Sequence, residues 1–66
     1  MKEYKAVDSF NPGDGTIVFT VEIPKRKSLP VSGEQVKINS KVYSVMTADR
    51  ISKEYVNLRV KENAGQ

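Results

Sequence analysis

The alternation of apolar and polar residues in TIVFTVEI, residues 16–23, constrains the fold of this chain more than any other feature. A period of two, built from β-branched and aromatic residues, is typical of a strand with one buried face. Pro24 ends this strand because proline cannot donate to a β-ladder. The predicted inner face carries Ile17, Phe19, Val21 and Ile23, and the outer face carries Thr16, Thr20 and Glu22.

Two further strands are predicted in QVKIN (35–39) and KVYSVMTA (41–48), joined by a tight turn at Asn39-Ser40. Asparagine tolerates the positive φ that such a turn requires. A two-residue loop pairs Ile38 with Lys41, which sets the register of the hairpin and the faces of both strands. The core face then carries Val36, Ile38, Tyr43 and Val45, and the outer face carries Gln35, Lys37, Val42, Ser44 and Met46.

The same pattern recurs in YVNLRVK (55–61) and, over a shorter length, in EYKAV (3–7). In the former, Val56, Leu58 and Val60 point inward, and Tyr55, Asn57, Arg59 and Lys61 point outward. EYKAV places Tyr4 and Ala6 on one face and Val7 on the other, and either face is compatible with burial. The connecting segments are SFNPGDG (9–15), a cluster of turn residues; ADRISKE (48–54), a loop or one helical turn; and ENAGQ (62–66), a frayed tail.

These elements predict an all-β fold in a single domain that spans residues 1–66. A chain of this length has room for one domain. Five short strands indicate either a small five-stranded barrel or a twisted antiparallel meander. A barrel is favoured because closure removes the exposed edges that a small open sheet cannot easily protect.

Several chemistries are excluded by composition, because the chain contains neither cysteine nor histidine. Disulfides, thiolate or imidazole metal sites, and Ser-His or Cys-His catalysis all need one of these residues. Asp8, Asp14 and Asp49 lie in or beside predicted loops, where carboxylates commonly cap turns. NPGDGT lacks the lysine and the following helix of a phosphate-binding loop. We therefore predict a non-catalytic protein without a metal or another cofactor.

The location is predicted from the first fifteen residues and from the absence of thiols. Residues 1–15 contain no long apolar run, so we expect neither a signal peptide nor a membrane span there. A chain without cysteine suits a reducing compartment. These features predict a cytoplasmic protein without membrane contact.

LPVSGEQVKI, followed by KVYSV and preceded by TIVFTVE, resembles the first hairpin of small barrels in which a G-[DE]-x-V-x-I strand follows an exposed loop. The second domain of translation GTPases and the SH3-like barrels contain similar stretches. The resemblance covers roughly residues 16–45. It implies a barrel that serves as an interaction platform, and stand-alone barrels of this kind occur as accessory proteins of phages and mobile elements. No GTPase activity is implied, because the chain lacks G-x-x-x-x-G-K-[ST].

The basic segment PKRKSLP (24–30) is the first candidate binding feature. It is either a phosphate-binding loop or a solvated turn that is stiffened by Pro24 and Pro30, whose cations discourage edge pairing. A polyanion site would also need neighbouring cations and a stacking aromatic residue on the outer faces of other strands. The candidate polyanion-binding residues are Lys25, Arg26, Lys27, Lys37, Tyr55, Arg59 and Lys61.

The second candidate feature is an apolar pair, Val42 and Met46, on the predicted outer face. This pair is either a protein contact, made together with the basic segment 25–27, or part of a secondary core, and methionine adapts to irregular partners. Phe10 is either another contact residue or a plug for one end of the barrel. We therefore predict a binding or adaptor module whose partner is a protein rather than a nucleic acid, with a nucleic acid and a homo-oligomer as alternatives.

Overall fold

Six strands in one sheet form the regular structure of residues 1–62, which are the residues that this computed structural model describes. The strands are β1 (Lys2–Tyr4), β2 (Ala6–Phe10), β3 (Ile17–Glu22), β4 (Gln35–Ile38), β5 (Lys41–Arg50) and β6 (Tyr55–Glu62). Their order in the sheet is β1-β4-β5-β6-β3-β2. The prediction of an all-β fold is confirmed. Of the predicted frayed tail, Glu62 ends β6, and residues 63–66 lie outside the described residues.

The predicted first strand, EYKAV, is in fact two strands at opposite edges of the sheet, joined by Lys5 alone. β1 pairs parallel with β4, whereas β2 pairs antiparallel with β3. The sheet is therefore mixed and six-stranded, not antiparallel and five-stranded as predicted. Its two edges meet at Lys5, because the Cα atoms of Tyr4 and Ala6 lie at most about 7 Å apart. The hydrogen-bonded ladder nevertheless stays open between β1 and β2, so closure into a barrel is not confirmed.

Asn39 stabilises the bend at Lys5 from both sides. Its backbone N–H donates to the carbonyl oxygen of Tyr4 at 3.3 Å, and its Oδ1 accepts from the N–H of Ala6 at 3.1 Å. The sequence pattern did not decide which face of EYKAV is buried. It is the face of Tyr4 and Ala6, because both side chains pack against the core. Asn39 thus holds the two edge strands together, with its backbone N–H bonded to β1 and its side chain bonded to β2.

The β4–β5 hairpin has the predicted turn and register. Asn39 and Ser40 have φ angles of 52° and 72°, as a two-residue hairpin turn of this kind requires. Ile38 pairs with Lys41 and Val36 pairs with Tyr43. A two-residue turn permits one pairing register, and that register determines which side chains of both strands face the core.

The core consists of the inward residues of β3 to β6 and of Ile23, which directly follows β3, largely as predicted. Its fully or almost fully buried members are Phe19, Val21, Ile23, Val36, Ile38, Tyr43, Val45, Val56, Leu58 and Val60. The rings of Phe19 and Tyr43 meet edge to face with centroids 5.1 Å apart. Thr16, predicted to face outward, is buried, and its hydroxyl donates to Oδ1 of Asp14 at 2.5 Å. Phe10, in contrast, is 65% exposed, so it does not plug the sheet.

A β-bulge at Met46 changes the second half of β5. The register with β6 shifts between Val45 and Thr47, and β5 then continues to Arg50. The segment 48–54, predicted as a loop or a helical turn, is therefore strand as far as Arg50, with a tight turn over residues 51–54. The extra residue reverses the alternation, so that Ala48 pairs with Leu58 on the core face. Among residues 1–62, there is no helix with the length and apolar character needed to cross a membrane.

Replacing Ser40 with glycine should stabilise the protein by about 0.5–1 kcal/mol. A left-handed backbone costs a residue with a Cβ roughly 1–2 kcal/mol, and the greater freedom of glycine in the unfolded chain offsets part of this gain. Urea unfolding followed by circular dichroism measures the change. Ser40→Ala is the control, because it keeps the Cβ and the strain. Equal stabilisation by both variants would contradict this account of the turn.

Candidate functional site

The basic loop after β3, residues 24–30, has three exposed cations followed by apolar residues that are buried or packed against the core. Lys25, Arg26 and Lys27 are exposed, and the backbone turns there, because the N–H of Lys27 donates to the carbonyl oxygen of Pro24 at 2.9 Å. Pro30 is buried beyond them, and Leu29 packs against the core. The apolar end of the loop thus fixes its position, while the three cations face solvent.

Arg50 joins this loop to the β5–β6 turn. Its Nη2 donates to the carbonyl oxygens of Ile23 at 2.9 Å and Pro24 at 3.4 Å. Its Nη1 donates to the carbonyl oxygens of Ser52 at 2.9 Å and Lys53 at 3.0 Å. Because one planar guanidinium bonds four carbonyl oxygens in two segments, the residues that flank those oxygens are held in a defined geometry.

Cations from three separate segments come together at this end of the sheet. Lys25 and Lys53 line a depression of about 220 Å³ together with Arg50, Ile51 and Ser52. Lys2 and Lys27 line another, of about 270 Å³, with Glu3, Tyr4, Ile23 and Ser28. We name as the basic end the residues Lys2, Lys25, Arg26, Lys27 and Lys53. Within residues 1–62, none of these five forms an ion pair.

Sequence reasoning missed Lys2 and Lys53 as members of this cluster. Lys2 lies on β1, which pairs with β4, and it meets the loop by lining the same depression as Lys27. Lys53 lies in the turn after β5, and Arg50 brings that turn to the loop. The one signal in the sequence was Lys53 in the predicted loop 48–54. A lysine in a loop does not indicate which other segment the loop lies against.

Of the other predicted polyanion-binding residues, Tyr55 lies next to the basic end, because its backbone N–H donates to Oγ of Ser52 in the β5–β6 turn at 3.1 Å. Arg59 and Lys61 lie farther along β6. Lys61 stands about 20 Å along β6 from Tyr55, at the far end of the strand. Arg59 is already engaged, since its Nη1 donates to Oδ2 of Asp14 at 3.2 Å and to Oγ1 of Thr16 at 2.9 Å. Lys37 lies on β4 between Glu3 and Val42 in the register.

Carboxylates on the outer face separate these groups. Glu22 pairs with the exposed Tyr55, and Asp49 pairs with Asn57, two residues farther along β6. A phosphate backbone that ran along β6 from Tyr55 to Lys61 would pass both acids. The structure therefore does not join the predicted polyanion residues into one surface.

The predicted apolar contact pair is also divided. Val42 is half-buried beside Lys37, while Met46 is 40% exposed at the bulge in β5. Four residues of strand separate them by about 13 Å. On edge strand β2, Phe10 is more exposed and has half-buried Val18 as its register partner.

Two ionisable pairs stabilise the opposite end of the sheet. Hydrogen bonds from the hydroxyl and N–H of Thr16, assisted by the nearby charge of Arg59, lower the pKa of Asp14. A hydrogen bond and charge attraction from Glu62 raise the pKa of Lys41. Both pairs are exposed, where ion pairs contribute little to stability.

Comparison with known proteins adds no family to this description: no family model, curated protein or solved structure matches the sequence. What the chain binds must therefore be inferred from its own residues.

Replacing Arg50 with lysine should lower the free energy of unfolding by about 1–3 kcal/mol. An ammonium group cannot reach four carbonyl oxygens at once, and hydrogen bonds to charged groups contribute about 1.5–3 kcal/mol each at most. Urea unfolding measures the loss. Arg26→Lys is the matched control, because Arg26 is exposed, and it should change stability by less than about 0.5 kcal/mol. Equal stability of the two variants would show that the four hydrogen bonds of Arg50 do not order the basic loop and the β5–β6 turn.

Acid should remove a stabilising contribution from Asp14. Its folded pKa is lowered, so between the folded and unfolded pKa values the unfolded state binds more protons and stability rises with pH. The contribution is complete above the ordinary aspartate pKa and disappears as pH falls through the lowered folded value. Melting temperatures from pH 2 to about pH 6 should differ between wild type and Asp14→Asn at the upper end and converge at the lower end. Parallel curves would contradict the assignment.

Proposed function

We propose that this protein is a non-catalytic binding module that holds a nucleic acid by its phosphates at the basic end. The observation that carries the proposal is the convergence of five cations from β1, the loop after β3 and the β5–β6 turn. A run of three cations in one loop is common on solvated surfaces. Two more cations brought from distant parts of the chain make a local field that favours anions.

The charges of the basic end remain available to a ligand. Arg59 and Lys41 each have a carboxylate partner, while the five cations of the basic end have none within residues 1–62. Unpaired lysines and arginines can neutralise phosphates and release the counterions condensed on a nucleic acid. Arg50 supports this role indirectly, since it orders the backbone beside Lys25 and Lys53 before any ligand arrives, which lowers the entropic cost of binding.

The fold is consistent with such a role. A sheet whose edges meet at Lys5 resembles a small barrel, and we propose that it works as one, with the basic end as its binding end. Binding needs neither an ionisable catalytic pair nor a deep pocket. The two depressions are open to the surface, as expected for contact with an extended ligand.

A protein partner, which the sequence favoured, is the second candidate. The exposed Phe10 beside Val18 on edge strand β2 supports it. We rank it below a nucleic acid because the predicted contact residues Val42 and Met46 lie apart on β5 and do not join the basic loop. An apolar contact would also be nearly insensitive to salt, whereas phosphate binding weakens steeply as salt rises.

The test is fluorescence anisotropy with labelled single-stranded RNA, single-stranded DNA and duplex DNA between about 50 and 200 mM salt. Lys25→Glu/Lys27→Glu should weaken binding about tenfold or more at the lower salt, and Lys53→Glu should weaken it several-fold. Lys5→Glu/Lys61→Glu is the matched control, because it makes the same change in net charge away from the basic end. It should retain most of the affinity.

Equal losses in the two double variants would show that net charge, not the basic end, drives binding. Absence of binding by the wild type at the lower salt would overturn the proposal in favour of a protein partner. Phe10→Ser would then be the variant to compare with wild type in a search for that partner.

A further inference from the structure

One of the two depressions at the basic end differs chemically from the other. It lies between β1 and the loop after β3, with exposed Lys2 and Lys27 beside it. Its lining also includes Tyr4, which is half-buried, and Ile23, which is almost completely buried. We name it the Tyr4 depression. It combines apolar and aromatic surface with cations, whereas the depression beside Lys25 and Lys53 offers only Ile51 as an apolar side chain.

We propose that the Tyr4 depression receives a single unpaired base of a nucleic acid strand, with Lys2 and Lys27 contacting the phosphates on either side. The proposal rests on the nucleic-acid binding proposed above and adds the form of the ligand. Proteins that bind single strands combine a positive surface for the backbone with aromatic side chains against which bases stack. Both elements occur together at this site.

Glu3 distinguishes a base from a phosphate as the occupant. It is the one carboxylate among the lining residues of the Tyr4 depression, and it would repel a phosphate placed inside. A carboxylate oxygen accepts hydrogen bonds from the amino groups of bases, as in contacts to cytosine. The charges therefore favour a base within the depression and phosphates beside the two lysines.

The hydroxyl of Tyr4 is a hydrogen-bond donor on a residue that lines the depression. Burial, with a smaller effect from the charge of Glu34, raises the pKa of the Tyr4 phenol. The group therefore stays protonated at neutral pH and can donate to a base carbonyl or ring nitrogen.

The volume of the Tyr4 depression indicates the size of its occupant and whether the nucleic acid is single-stranded. A volume of about 270 Å³ lies below the range of about 300–1,000 Å³ that is typical of sites for drug-sized ligands, so the depression suits a fragment such as one base. A base within a duplex must first be unstacked and unpaired to enter it. Single strands should therefore bind more tightly than duplexes of the same length and charge.

The experiment compares three labelled ligands by anisotropy at low salt: a short oligocytidylate, the same oligomer with abasic positions, and inorganic polyphosphate. Wild type should bind the oligocytidylate about tenfold more tightly than the abasic oligomer. Tyr4→Leu should lose about tenfold in affinity for the oligocytidylate and keep its affinity for polyphosphate. Tyr4→Phe, which retains the aromatic ring, should lose less affinity for the oligocytidylate.

Ser28→Trp supplies a second test, because Tyr4 packs partly against the core and its leucine variant could unfold. Ser28 is exposed and lines the depression, so an indole there should occupy the space of the base. This variant should also bind polyphosphate as wild type does and lose affinity only for the oligocytidylate. Circular dichroism and melting temperatures confirm that each variant is folded.

The outcomes separate the two proposals. Equal affinity of the wild type for the normal and abasic oligomers would overturn the base site and leave phosphate binding at the basic end intact. Loss of polyphosphate binding in parallel with oligocytidylate binding in Ser28→Trp would also overturn it. Absence of binding to all three ligands would overturn the proposed function itself.

Discussion

The architecture depends on one covalent constraint: Lys5 alone connects two strands that occupy opposite edges of the sheet. A single residue cannot span a flat sheet of six strands, so the sheet must roll until its edges meet. The rolled sheet has one enclosed face, and the alternating apolar residues of β3 to β6 fill it. Asn39 stabilises the bend at Lys5, because it forms hydrogen bonds with backbone groups of both edge strands beside that bend.

The same roll determines which surfaces can cooperate. It brings β1 beside the loop after β3, so that Lys2 and Lys27 share a depression, and Arg50 brings the β5–β6 turn to the other side of that loop. The resulting cations lack carboxylate partners among the described residues, whereas Arg59 at the opposite end has Asp14. The cations are thus separated in space into a group without carboxylate partners among the described residues and a group that is neutralised by carboxylates. The proposed function depends on this separation.

The sequence predicted a polyanion site that combined the basic loop with the outer face of β6, and such a site would bind a phosphate backbone differently from the site proposed here. On the outer face, Glu22 and Asp49 interrupt such a site. The basic end instead places cations around small depressions, one of which has aromatic and apolar surface. That arrangement favours a ligand in which anionic and planar groups alternate, as they do in a single nucleic acid strand.

The sequence by itself determined the class of the fold, the β4–β5 turn and its register, and nearly all of the core. These features depend on local alternation and on backbone conformations that Asn39 and its neighbours readily adopt. Only the tertiary structure decided that EYKAV divides at Lys5, that the bulge at Met46 turns Arg50 toward the carbonyl oxygens, and that Lys2 and Lys53 join the basic loop. Each of these depends on pairing between residues far apart in the chain, and such pairing leaves no periodic trace in the sequence because it is decided by how the whole sheet packs.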